Sequence, residues 1–161
     1  MYTIKKGEHY SNHPFRLHWR KTIMNLKFTL MGDCSYDLLV PDDWAINKLA
    51  GWSMCHHHHN SIRCGWRPSP TPGIISLFFY LYNDGKRTEH LFTNVRILKE
   101  YTLEMRLTGN RVDFSLAGNG QTAEKSILYK KPWLTAGYAL WPYIGGLLPA
   151  RWDTHIEMEI L

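Results

Sequence analysis

The sequence predicts an all-β protein: an antiparallel β-sandwich of two packed sheets and about ten strands, most simply a jelly roll. Two observations carry this prediction: period-two alternation recurs along the chain, and turn residues separate the alternating runs. At 161 residues, with 44% hydrophobic and 20% charged residues, the chain can bury one sizeable core. We therefore predict a single domain over residues 1–161.

Four runs alternate apolar and polar residues, as half-buried antiparallel strands do. They are residues 24–30, 101–107, 112–116 and 156–160. The turn residues Gly109 and Asn110 lie between the second and third runs. We therefore expect residues 101–117 to form a β-hairpin.

Two further segments have other patterns. Residues 74–82 are apolar on both faces, which predicts a central strand or one whose outer face carries an aromatic platform. A platform would use Tyr80 and Tyr82, since tyrosine offers sugars both a ring face and a hydroxyl group. One short helix is predicted over residues 44–50, capped by Asp42 or Asp43 and ended by Gly51.

The segment 60–67 is predicted to be a strand with one buried and one polar face. Ile62, Cys64 and Trp66 share the first face, while Arg63 and Arg67 lie on the second. Guanidinium groups suit planar anionic or hydroxyl-rich ligands. The alternative is a surface strand whose arginines pair with carboxylates.

Residues 56–59 are four consecutive histidines. On a strand, His57 and His59 would share a face and could offer two imidazoles to a divalent metal, with a third ligand from elsewhere. The alternative is a solvated loop whose histidines only form hydrogen bonds. Aspartates at 33, 37, 42 and 43 could ligate calcium, although turns and caps also explain them. We expect no cofactor to be required.

Composition excludes several classes of function. The net charge of +5 comes from scattered basic residues, so we expect no specific nucleic-acid partner. No apolar run approaches the roughly 18 residues that span a bilayer, and the N-terminus does not read as a secretory signal. We expect a cytoplasmic or virion-associated protein without a membrane partner. Three cysteines predict reduced thiols rather than a disulfide framework.

Three segments together carry a resemblance: residues 47–51, residues 60–67, and the stretch 142–146 followed by Pro149-Ala150. They resemble small concanavalin A-like jelly-roll proteins, of the lectin and glucanase type, from Bacteroidetes and their phages. The similarity spans residues 44–161. In that superfamily an aromatic residue stands where this chain has Ile144, and the order of Pro149-Ala150 is reversed.

The resemblance implies two sheets, one of them concave, with glycans bound or cleaved on the concave face. It implies Arg63, Arg67, Tyr80, Tyr82 and Trp141 as ligand-binding positions. The E-x-D-x-E pattern of the glucanases is absent, so we expect a non-catalytic module that binds carbohydrate. The alternatives are a structural or assembly protein that binds another protein or its own copies, and a polysaccharide hydrolase or lyase that uses His57 or His59 with Arg63.

Overall fold

The computed structural model describes residues 1–13, 15–132 and 136–161. Within these ranges the chain forms twelve strands in two six-stranded sheets, and every pair of neighbouring strands is antiparallel. The predicted antiparallel β-sandwich is therefore confirmed. No helix in these ranges has the length and hydropathy needed to cross a membrane.

The first sheet contains all four predicted alternating strands. Its members are β1 (Tyr2–Ile4), β3 (Ile23–Leu30), β8 (Glu100–Thr108), β9 (Arg111–Gly118), β10 (Gln121–Leu128) and β12 (Thr154–Ile160), in the order β1-β12-β3-β8-β9-β10. Strand β3 alternates strictly between partly exposed and buried residues. Strands β8 and β9 form the predicted hairpin, with Thr108 opposite Arg111.

The second sheet contains residues 74–82, the segment that the sequence shows to be apolar on both faces. Its members are β2 (Leu17–His18), β4 (Asn47–Ser53), β5 (Ser61–Pro68), β6 (Ile74–Asn83), β7 (Lys86–Arg96) and β11 (Gly137–Leu140), in the order β2-β11-β4-β5-β6-β7. Strand β6 lies between β5 and β7, as its composition predicts. A short connection, Asp84-Gly85, joins β6 to β7.

The helix predicted over residues 44–50 is wrong. Short 3-10 helices occur at Gly32–Cys34 and Pro41–Trp44, and the chain then enters β4, where all seven residues are buried. Gly51 lies in the middle of this strand rather than at a helix end. A Cβ atom there would lie 2.1 Å from the carbonyl oxygen of Ile62, so glycine is needed because β4 and β5 approach too closely for a side chain.

The core lies between the two sheets. Phe79 of β6 and Phe114 of β9 stack with ring centroids 3.8 Å apart, and Trp52 and Trp66 are fully buried. Tyr80 belongs instead to a separate small cluster with Ile46, Phe78 and Tyr82, on the outer face of the second sheet. An aromatic surface thus lies outside the main core.

All three cysteines are free thiols, as predicted. Cys34 and Cys64 are buried, whereas Cys55 is exposed. Burial raises the pKa of the first two thiols well above the ordinary value, so they remain protonated and behave as small apolar side chains.

Candidate functional site

The outer face of the second sheet carries a groove of about 530 Å3. Strands β4, β5, β6 and β11 contribute its floor and one wall, and residues from both ends of the chain complete it. The residues that line it are aromatic, cationic or imidazole side chains with a few small apolar groups: Tyr10, His13, Phe15, Lys48, His57, His58, Arg63, Tyr80, Tyr82, Arg87, Tyr138, Ala139, Leu140, Trp141, Tyr143, Gly146 and Leu147.

Strand register places the predicted aromatic and arginine residues side by side. Arg63 pairs with Tyr80 of β6 on one side and with Gly51 of β4 on the other. Tyr82 pairs with Ser61 of β5 and with Arg87 of β7. Three predicted positions, Arg63, Tyr80 and Tyr82, therefore meet in one groove. Whether they bind a ligand stays a prediction.

Arg63 is a buried cation without a neutralising carboxylate. Its side chain lies in the floor, the residue is 8% exposed, and Nε and Nη2 have no hydrogen-bond partner among the described residues. Its Cζ atom lies 6.0 Å from the centroid of the Tyr80 ring. Burial lowers the pKa of this guanidinium, but arginine has so high an ordinary pKa that it stays protonated.

Lys48 is a second buried cation in the same floor. Its Nζ atom donates to the carbonyl oxygen of Ile46 at 2.7 Å and lies 4.4 Å from the ring centroid of Tyr80 and 5.4 Å from that of Tyr143. Burial, followed by the charge of Arg63, lowers the pKa of Lys48 to about 8. Its ammonium group is thus held mainly by a carbonyl and two aromatic faces.

His57 and Tyr138 form a hydrogen-bonded pair at the groove wall. The Nδ1 atom of His57 lies 2.6 Å from the hydroxyl oxygen of Tyr138. Burial, then the charges of Arg63 and the neighbouring histidines, lower the pKa of His57 to about 4. The imidazole is therefore neutral near pH 7, and its unprotonated nitrogen can accept a proton.

Of the two alternatives for the histidine run, a strand or a solvated loop, the structure shows the second. The run forms a turn, in which the backbone N–H groups of His59 and Asn60 both donate to the carbonyl oxygen of His56. His57 and His58 face the groove, whereas Nδ1 of His59 lies 2.8 Å from the side-chain nitrogen of Asn60. In the described parts of the chain, no group of three or more His, Cys, Asp or Glu side chains could hold a metal ion. Metal binding by His57 and His59 stays a prediction.

Two of the aspartates proposed as calcium ligands, Asp42 and Asp43, already bind other groups of the protein. Asp42 accepts the backbone N–H groups of Leu147 and Leu148. Asp43 accepts two backbone N–H groups before Pro41 and pairs with Arg151. The backbone contacts of Asp43 are of the capping and turn kind that the sequence offers as the alternative, whereas Asp42 joins a distant part of the chain. Calcium binding has no supporting contact here and stays a prediction.

Two predicted ligand positions have other surroundings. Arg67 lies outside the groove lining: its guanidinium lies 5.0 Å from the Trp44 ring centroid and 5.1 Å from that of Phe78, and it donates to the Trp44 carbonyl. Trp141 does line the groove, but it is only 6% exposed and stacks on Tyr2. Trp141 thus supports the wall more than it presents a free ring face.

Sequence reasoning missed Lys48, Arg87, Tyr138 and Tyr143. A signal for Arg87 was present, because the Asn83-Asp84-Gly85 turn places Arg87 opposite Tyr82 in a two-residue hairpin. Lys48 was hidden by the helix prediction. Tyr138 and Tyr143 come from the far end of the chain, and no local pattern links them to β5.

Comparison with solved structures shows a shared fold. An alginate lyase from Klebsiella pneumoniae superimposes with a TM-score of 0.65 and 10% identity, over 86% of this chain and 59% of that chain. A xylan beta-1,4-xylosidase from Bacillus halodurans C-125 superimposes with a TM-score of 0.54 and 8% identity, over 93% of this chain and 28% of that chain. The chain thus spans less than two thirds of either protein.

At 10% and 8% identity, these likenesses show the fold alone, which is the two-sheet sandwich that the resemblance implies. No protein-family model matches the chain, and no curated protein sequence matches it.

Proposed function

We propose that this chain is a non-catalytic module that binds polysaccharide in the groove of its second sheet. The observation that carries the proposal is the group of five tyrosines in the lining, at positions 10, 80, 82, 138 and 143. Sugar rings present apolar C–H faces that stack on aromatic rings, and hydroxyl edges that need hydrogen-bond partners. Tyrosine meets both needs with one side chain.

The form of the site supports the same class of ligand. The groove is open to solvent and has a volume of about 530 Å3, which is within the range of pockets that bind small organic ligands. Phe15 on its rim is 71% exposed and lies beside Tyr138, with ring centroids 5.7 Å apart. Two solved structures that share the fold are, by their names, enzymes of alginate and xylan.

Titration of the protein with a panel of polysaccharides tests this proposal. We expect Tyr82→Ala to weaken binding about tenfold, because it removes a stacking face from the groove. Trp19→Ala is the matched control, since Trp19 is a 70% exposed aromatic residue outside the groove lining. An equal loss of affinity in both variants, or no binding to any polysaccharide, would contradict the proposal.

Cleavage of polysaccharide by elimination is a second candidate function, favoured by the His57–Tyr138 pair. If Nδ1–H donates to the tyrosine oxygen, Nε2 of His57 keeps a lone pair that can take a proton from a sugar carbon. The released electron pair forms a C=C bond while the C–O bond to the next sugar breaks. Tyr138 gives its proton to the leaving oxygen and regains one from the imidazolium.

Absorbance of the new C=C bond separates this function from binding alone. A polysaccharide that binds without any gain in absorbance or new chain ends identifies the non-catalytic module. The structural or assembly role, self-association, and the Bacteroidetes or phage origin stay predictions.

A further inference from the structure

We propose that the groove selects an acidic polysaccharide, and that Arg63 receives the carboxylate of one of its sugars. This inference rests on the proposed function and names the ligand class of that same site.

The first argument is that Arg63 has buried hydrogen-bond donors without partners in the free protein. A buried hydrogen-bond donor left without a partner costs folding free energy, and a charged one costs more. Arg63 is only 8% exposed, yet its Nε and Nη2 atoms have no hydrogen-bond partner among the described residues. Both atoms are covered by protein in the free structure, so a planar carboxylate can form two parallel hydrogen bonds with them only when the guanidinium turns toward the groove.

The second argument is the charge of the lining. Three basic side chains that are charged near pH 7, Lys48, Arg63 and Arg87, contribute to it, and none of the described lining residues is Asp or Glu. Glu89 lies 3.2 Å from Nε of Arg87 but is not part of the lining. Like charges gathered in a groove with low-dielectric walls attract an anion strongly.

The third argument is the effect of this charge on neighbouring groups. Burial first, and the charge of Arg63 next, lower the pKa of Lys48, His57 and His58. The free groove thus already disfavours additional positive charge. An incoming carboxylate would relieve this repulsion, whereas a neutral sugar would leave it.

A sugar acid fits this site better than a nucleic acid. The basic residues outside the groove are scattered along the sequence, whereas nucleic-acid binders usually concentrate such charge on one face. The donors of Arg63 lie in the floor between Gly51 and Tyr80. Because Tyr80 lies beside Arg63, a sugar ring stacked on that tyrosine brings its carboxylate next to the guanidinium, which must turn toward the groove to meet it.

Isothermal titration with polygalacturonate and with the same polymer after reduction of its carboxyl groups tests the inference. We expect the acidic polymer to bind about 10- to 100-fold more tightly, the effect of a few charge-assisted hydrogen bonds. Equal affinity for the two polymers would overturn the acidic specificity while leaving the proposed function intact. If neither polymer binds, and polymannuronate tested in parallel does not bind either, the acidic specificity and the proposed function are both overturned. Equally tight binding of single-stranded DNA would overturn the selection of a polysaccharide.

Variants of Arg63 supply a second test. We expect Arg63→Met to lose the preference for the acidic polymer but to raise the melting temperature, because an unpaired buried charge is replaced by an apolar side chain. Arg63→Lys should retain part of the preference. Arg106→Gln is the control, since it removes one exposed positive charge from the opposite sheet. A preference kept in Arg63→Met, or lost equally in Arg106→Gln, would overturn the role of Arg63.

Discussion

The Nδ1 atom of His57 lies 2.6 Å from the hydroxyl oxygen of Tyr138, and this hydrogen bond joins the turn before β5 to strand β11. The two residues are 81 positions apart in the sequence. Their contact places a neutral imidazole and a phenol on one wall of the cationic groove, which makes the pair a sensitive probe of what the groove does.

Tyr138→Phe removes the hydroxyl group and keeps the ring that Phe15 contacts. If the groove cleaves polysaccharide by elimination, we expect turnover to fall about 100- to 10,000-fold, the usual contribution of a general acid. If the groove only binds, affinity should change severalfold at most. Chain-end formation and titration, measured on the same samples, check this. Tyr36→Phe, which alters a hydroxyl group outside the groove, is the matched control.

The stability of the protein should depend on His57 at mildly acidic pH. The pKa of His57 is about 4 in the folded chain, against an ordinary value of 6.5. Between these values the unfolded chain binds a proton that the folded chain does not, so the free energy of unfolding falls as pH falls from about 6.5 to about 4. His57→Gln should reduce this loss.

Urea unfolding at about pH 7 and about pH 4.5 measures that difference. His58 also has a lowered pKa and titrates in both proteins, so the comparison of wild type with His57→Gln isolates one group. His90→Gln, an exposed histidine outside the groove lining, should keep the wild-type loss. The same pH dependence in wild type and His57→Gln would contradict the assigned shift.

Arg67→Gln should leave the affinity for polysaccharide within about twofold of wild type. The reason is position: Arg67 lies on the same strand as Arg63, but its guanidinium is held between the rings of Trp44 and Phe78 outside the groove. Titration beside Arg63→Gln measures the contrast. A comparable loss in both variants would show that the ligand extends along β5 to Arg67, as the sequence resemblance implies.

Gly51→Ala should lower both stability and affinity. A Cβ atom would lie 2.1 Å from the carbonyl oxygen of Ile62 and 2.7 Å from Cα of Arg63, so β4 and β5 must separate and move the arginine. We expect a loss of about 1–3 kcal/mol in the free energy of unfolding, the usual cost of overpacking. Gly32→Ala is the control, because nothing lies within 4 Å of its Cβ position. Unfolding by urea that shows no difference between the two variants would contradict this account.

Local sequence patterns were enough to predict the sandwich, its alternating strands and one face of the site. Side-chain direction alternates with every residue of a strand, so β3, β8, β9 and β12 reveal their buried faces locally. The two-sided apolar pattern likewise identified β6 as a central strand. For the same reason Arg63, Tyr80 and Tyr82 could be assigned to the face opposite the core.

Which of those outward residues form a site depends on long-range contacts between segments. Short segments such as 44–50 carry weak local signals, and pairing with β5 turned Asn47–Ser53 into a strand. The register of long-range pairs set Arg63 beside Tyr80 and Gly51, and loop packing left Arg67 outside the groove. The meeting of His57 with Tyr138, and the burial of Arg63 without a carboxylate, depend on contacts between distant segments, which a local period of two residues does not encode.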